Sequence, residues 1–404
     1  MISVEEALSR LLAPLEPLPP EQISIVDGLG RVLAEDIAAR RTQPPFAVSA
    51  MDGYAVRADD LEAVPVELRV VAEVPAGAGF GGHVGTGEAA RIFTGAPLPA
   101  GTDTIVIQED TERRGDRVRV LEGAPHGRYV RREGLDFAEG EVLLQAKRRL
   151  TARDIGLLAA MNRPWLLVHR RPRIGILSTG DEIVMPGDPI GPHQIVSSNS
   201  LALAAFASAC GGIPISMGNA LDDPEALRRI AAATSGVDLL VTTGGASVGE
   251  HDLVRDALAA DGLELDFWQI AMRPGKPLMV GRYHGTPMVG LPGNPVSTLV
   301  CALLFLRPAV DRLSGAAPAE VGAPTARLGA ALPKNDRRQD YLRSRLVRAA
   351  DGTLEAFPFE VQDSSMMRLL AIADCLVVRP PDAPALSAGA TVPIVPFPAG
   401  VLPF

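Results

Sequence analysis

The stretch TTGGASVGEHD, residues 242–252, places two adjacent glycines, a serine and two acids on one turn between an apolar run and a helix-like run. A purely structural turn rarely needs all of them. Gly244 and Gly245 free the backbone to approach a ligand closely, and N–H groups beside a helix start attract an anion. Ser247 supplies a hydroxyl in the same turn. Glu250 and Asp252 carry the wrong charge to hold an anion themselves. Carboxylates next to a phosphate cradle suggest a divalent cation between the two.

Other segments carry the same chemistry. STGDE (178–182) offers Asp181 and Glu182 as oxygen donors of the kind Mg2+ accepts, and NALDDP (219–224) offers Asp222. MRPGKP (272–277) holds Arg273, a bidentate fork, and Lys276, a point charge. LPGNPVS (291–297) opens a helix with Gly293, Asn294 and Pro295 and carries Ser297, so its first N–H groups suit an oxyanion. Taken singly, each reads as readily as a capped turn, and DDP reads as a helix cap. Taken together they gain weight, because every one of them leaves the carboxyl end of an expected strand, where open α/β sheets bind ligands. No GxxxxGK[ST] loop occurs, and no Ser-His-Asp order or metal-ligand spacing emerges.

These turns need a sheet to hold them. From 170 to 315, short apolar strands (RIGIL, IPISMG, VDLLVTT) alternate with amphipathic helices, the pattern of parallel βαβ units covered on both faces. The first 40 residues read as two helical pieces, SVEEALSRLLAPL and DGLGRVLAEDIAA. A capping box at Ser3/Glu6 opens the first. Residues 65–135 form short β segments punctuated by Gly and Pro, and TARDIGLLAAM is a helix that returns toward the N-terminal pieces. After residue 317 the chain turns β-rich again. The expected architecture is therefore multidomain α/β and β. A mixed helical unit comprises 1–41 with 137–168, followed by a small β-rich domain at 42–136. A three-layer α/β/α domain with a mostly parallel sheet spans 169–317, and a C-terminal β-barrel spans 318–404.

Composition removes several alternatives. The net charge of −9 in 404 residues gives no domain-wide basic excess, which excludes a general nucleic-acid binder. Cys210, Cys301 and Cys375 lie far apart without a CxxC, so neither a disulfide framework nor a zinc site is expected, and a reducing cytoplasm is. No apolar run reaches the ~18 residues of a membrane span.

A second polar cluster lies in SAMDGYAV (49–56), IFTGAPLPAGTDTIV (92–106) and RREGLDF (131–137). A pocket shared between two subunits would account for two clusters in one chain. With LSTGDEI, SSNS, DDPEAL, TTGGASVGEHD, RPGKP and LPGNPVS in order, this set resembles the molybdenum-insertion enzymes of molybdenum cofactor synthesis, MoeA in bacteria and the gephyrin E domain in animals. The resemblance covers nearly the whole chain. It implies an elongated, cytoplasmic homodimer of four-domain chains, and partners among other cofactor-synthesis proteins and apo-molybdoenzymes. The implied reaction places Mo from molybdate on the dithiolene of adenylylated molybdopterin, with AMP leaving and Mg2+ assisting. By motif position, Asp52, Thr94, Asp136, Glu182, Asp222 and Asp252 match polar residues used for activity, with Asp181, Glu182 and Asp252 the metal acids. Arg343 and Ser364 match C-terminal residues facing the same cleft. Gln269 and Arg273 stand where some relatives carry lysine; Arg keeps the charge with a different geometry, while Gln removes a cation. Two rivals remain: a molybdopterin adenylyltransferase, whose relatives look like the 170–315 segment alone, and a molybdopterin-binding scaffold without turnover.

Overall fold

A computed structural model describes residues 1–221, 223–231, 236–244, 253–317 and 324–397. Asp222, Gly245, Ser247, Glu250 and Asp252 lie outside the described residues.

The α/β expectation holds in detail. A six-stranded sheet runs in the order 213–220, 173–179, 239–243, 286–291, 279–283, 263–267. Its first four strands are parallel and its last two antiparallel. Burial explains the sequence pattern: Leu239–Thr243 is buried at every position, as a central strand covered on both faces must be. Helices Asn199–Ala209, Pro224–Ala231 and Leu253–Ala259 follow their strands. The apolar helix after LPGN runs from Pro295 to Leu313 with a π turn at Ala302–Leu306. Pro308 lacks the N–H that an unbroken α-helix would use there, and the register shifts just before it.

The N-terminal segment differs from its reading. Val4–Leu12 is a helix with Ser3 accepting from the Glu6 N–H at 3.0 Å. Its buried Ala7 and Leu11, with Leu15, belong to the same core as Ile174, Val241 and Phe305 of the α/β unit. The second expected helix, DGLGRVLAEDIAA, is not helical. Gly30 takes φ +74, Leu33 bridges Val168, and Ile37–Ala38 pairs with Val142–Leu144. Two glycines and available strand partners outweigh its helix-like spacing. Leu33, Ile37 and Ala39 then share a core with Phe137, Leu158 and Val168. Helix Ala152–Ala160 carries the full capping box of Thr151 and Asp154.

The region from 53 to 120 is a six-stranded β sheet, and the C-terminal part is a closed barrel. In the barrel Gln339–Arg348 pairs with Leu354–Pro358 on one side and Cys375–Arg379 on the other, and Thr325–Leu328 and Thr391–Pro396 complete the ring. The barrel docks on the α/β unit through a short parallel pairing of Met272–Arg273 with Gln339–Asp340. No helix among the described residues is long and apolar enough to cross a membrane.

Candidate functional site

The carboxyl ends of the parallel strands converge on one rim. Gly244, at φ +94, sits so close to the Ser178–Thr179 strand end that a Cβ there would meet the Thr179 carbonyl oxygen at 2.3 Å, and a Cβ on Gly293 would meet the Gly244 Cα at 3.5 Å. Only glycine makes the first approach. Asn199, in the first turn of its helix, locks the rim from above: its amide donates to Thr243 Oγ1 at 3.0 Å and to the Gly293 carbonyl at 2.7 Å. Sequence reasoning did not single it out, although SSNS was noticed; an Asn behind two serines at a helix start was the available signal.

Around this junction the structure leaves polar atoms without partners. Ser178 Oγ, Thr179 Oγ1, Thr242 Oγ1 and Asn219 Oδ1 are buried with no hydrogen bond, four of the six such side-chain atoms among the described residues. Native interiors rarely leave these groups unpaired, and a cluster at a strand-end rim is where a ligand would complete them.

Lys276 follows the Pro274–Gly275 turn, is half-buried and makes no ion pair among the described residues. Arg273 is in the opposite situation. One guanidinium nitrogen binds Asp340 and another binds Asp336 at 3.3 Å, and the pairing holds its pKa above the ordinary value. Burial in turn pushes the Asp340 carboxyl up, only partly offset by Arg273. Of the two basic residues read from RPGKP, Lys276 is therefore the uncommitted cation, while Arg273 is bound to the barrel. Gln269 contributes its carbonyl to the Ile2 N–H at 3.4 Å.

Pro295 begins the long helix, and Ser297 is buried in its first turn. Asn294 occupies the N-cap position but makes no side-chain cap; its amide instead donates to Ser364 Oγ at 2.9 Å, and the Val296 N–H donates to the Ser364 carbonyl at 3.0 Å. One first-turn donor thus serves the barrel. Arg343 is only 1% exposed. Its guanidinium donates to Gln362 Oε1 and to the carbonyls of Met366 and Val361, so it fixes the loop carrying Ser364. Burial lowers its pKa.

Asp181 and Glu182 are exposed on the turn after Thr179, and the Glu182 carboxylate folds back over Gly180, 2.5 Å from where a Cβ would stand. Mg2+ takes one or two carboxylates and completes its shell with water and phosphate, so this pair fits such an ion without a larger cluster. No group of three or more His, Cys, Asp or Glu suited to a metal occurs among the described residues.

The second cluster is built separately. Asp52 Oδ1 accepts from the Thr94 N–H at 2.7 Å and from Thr94 Oγ1 at 2.8 Å. These bonds, with Arg91 nearby, hold its pKa below the usual carboxylate range. Gly53 beside it is required, since a Cβ would stand 2.0 Å from the Val106 carbonyl oxygen. Asp136 is exposed, its N–H bonded to the Gln43 carbonyl at 3.0 Å. The partners of Asp52 come from its own β module, not from the α/β rim.

Comparison with known proteins places all three parts in one line of relatives. Residues 2–162 match the family model described as the MoeA N-terminal region (domain I and II), 175–312 a probable molybdopterin binding domain, and 325–397 the MoeA C-terminal region (domain IV). The chain is 32% identical over 401 residues to the molybdopterin molybdenumtransferase of Haemophilus influenzae, covering 98% of this chain and 99% of the relative. It is 35% identical over 399 residues to molybdopterin molybdenumtransferase 2 of Mycobacterium tuberculosis, covering 96% and 98%. Among solved structures, the molybdopterin biosynthesis MoeA protein of Pyrococcus horikoshii superposes with a TM-score of 0.83 at 33% identity, covering 99% of this chain and 100% of the other.

Proposed function

The chain belongs to the MoeA family of molybdopterin molybdenumtransferases, and from that premise we propose how its own residues serve the reaction. It is a transferase that inserts molybdenum in molybdenum cofactor biosynthesis. In our reading the substrate is adenylylated molybdopterin, molybdate is the metal donor, and AMP leaves with Mg2+ assisting. The observation that carries this is the set of unpartnered polar side chains at the ends of the 173–179, 213–220 and 239–243 strands, with an uncommitted lysine, Lys276, three residues ahead of the 279–283 strand of the same sheet.

The division of labour follows from the chemistry of each group. The close-packed Thr179–Gly244–Gly293 junction brings the strand ends together at the rim where a phosphate and an adenylate would bind. Lys276 and Ser364 supply a charge and a hydroxyl for an oxyanion, with Asn294 and Arg343 fixing where Ser364 stands. Asp181 and Glu182 would hold Mg2+, which would supply positive charge to offset that of the phosphates. The dithiolene sulfurs belong to the pterin, so the protein needs no cysteine nucleophile. Its contribution is positioning and electrostatics. Asp52 and Asp136 would act on a second subunit's rim in a homodimer, since Asp52 is satisfied within its own module. A sedimentation experiment showing a fully active monomer would remove that arrangement.

The reading is tested by incubating the pure protein with adenylylated molybdopterin, molybdate and Mg2+. AMP release matched by molybdenum bound to pterin is expected, and Lys276→Ala should lose most of it. Pyrophosphate release from ATP and molybdopterin without molybdate would instead mark an adenylyltransferase.

A further inference from the structure

Two segments of the rim serve different parts of the reaction proposed above. Gly244 follows the 239–243 strand at the junction assigned to the phosphate and adenylate. Asn294 follows the 286–291 strand and holds Ser364, the hydroxyl assigned to the oxyanion. The two strands pair as parallel neighbours as far as Thr243 and Leu291. Beyond that point side chains hold the segments together.

Asn199 stands at the centre of that hold, although it comes from a third element, the start of the Asn199–Ala209 helix. Its amide nitrogen donates to Thr243 Oγ1 at 3.0 Å and to the Gly293 carbonyl at 2.7 Å. A carbonyl only accepts, so this partner fixes which way the amide is turned. Thr243 Oγ1 passes the chain of bonds on, donating to the Pro292 carbonyl at 3.3 Å, and Thr298 Oγ1 donates to the same carbonyl at 2.6 Å. Two consecutive carbonyls, at 292 and 293, are thus pinned to the strand end immediately before Asn294. A helix-capping role does not account for the side chain, because both bonds from its nitrogen leave its own helix.

We propose that Asn199 is a positioning residue that sets the spacing between the strand end at Thr243–Gly244 and the Gly293–Asn294 segment, and through Asn294 the place of Ser364. It holds the molybdate side of the site in register with the nucleotide side and itself touches neither substrate. The inference rests on the reading of this rim as the molybdenum-transfer site. Its kinetic signature follows from that geometry. Losing the clasp leaves each substrate its own binding groups and spoils their mutual alignment, so turnover suffers and binding does not.

The test uses the full chain with adenylylated molybdopterin, molybdate and saturating Mg2+, following AMP release. Asn199→Asp keeps the size of the side chain and exchanges both donated hydrogens for an acceptor, and an acid suits the first turn of a helix. Asn199→Ala removes the amide without adding charge. In both, kcat is expected to fall at least about tenfold, with KM for each substrate staying within about threefold of the parent. Urea titration of the same variants reports folding separately. A clasp that is only structural would lower the urea midpoint and leave the kcat of the folded protein unchanged; that result, or a raised KM at constant kcat, overturns the assignment while the parent remains active. A parent chain that releases no AMP overturns the reading of the rim and this inference with it.

Discussion

Asn294 stands at the cap position of its helix, yet its side-chain amide donates across to Ser364 Oγ at 2.9 Å. The helix forgoes its own cap to hold a barrel residue beside the sheet rim. Asn294→Ser separates the two roles. Serine caps well but is too short to reach Ser364, so stability should stay within about 1 kcal/mol of the parent by urea titration. Activity should nevertheless fall about tenfold in kcat/KM for molybdate. Unaltered kinetics in a stable Asn294→Ser protein would mean that the placement of Ser364 is irrelevant to turnover.

The Asp52–Thr94 pair predicts a pH effect. Two hydrogen bonds from Thr94 favour the ionised carboxylate, so its pKa lies below the ordinary range. A group depressed in this way adds stability above its unfolded pKa and loses it as pH falls through the folded one. Thr94→Val keeps the N–H bond and removes the hydroxyl. The Asp52 titration followed by NMR should move upward, and the acid limb of kcat/KM should move with it. An acid limb that stays put while the NMR titration shifts would show that Asp52 does not need its charge for the reaction.

The α/β unit was legible because its signals are local. Strands buried along their whole length, such as Leu239–Thr243, and Pro at the first position of the 295 helix each fix their element within a few residues. Segment 27–39 was misread because its helix-like spacing is overruled by distant strands at 142–144 and 168. The site was half legible for the same reason. Residue type placed Arg273 and Lys276 together, but nothing local showed that Arg273 is bound by Asp336 and Asp340, 63 and 67 residues away. Nor could spacing show that Arg343 is buried as a brace for the Ser364 loop.

Gly275 is held at φ +109 between Pro274 and Lys276, and a Cβ there would stand 2.5 Å from the sulfur of the fully buried Cys301. Gly275→Ala should therefore cost about 2–4 kcal/mol, combining backbone strain with overpacking. Cys301→Ala in the same chain removes the clash and not the strain, so the double variant should recover part of the loss. Strictly additive effects in a urea double-mutant cycle would show that the two sites do not touch.

The carboxylates of the STGDE turn give the last prediction. Glu182 is exposed and its side chain folds over Gly180 at φ +134, so Glu182→Gln keeps shape and packing while removing one charge. Surface changes of this kind leave stability within about 0.5 kcal/mol. Mg2+ is held by few protein oxygens and depends on their charge, so losing one carboxylate should raise the Mg2+ needed for half-maximal AMP release about tenfold or more. Saturating Mg2+ should restore part of the rate, because the substrate's phosphates still bind the ion. Asp181→Asn tested alongside tells whether the neighbouring acid shares the ion. If both variants keep the parent's Mg2+ dependence, the metal is not held by this turn, and the acids of 250–252 become the ones to test.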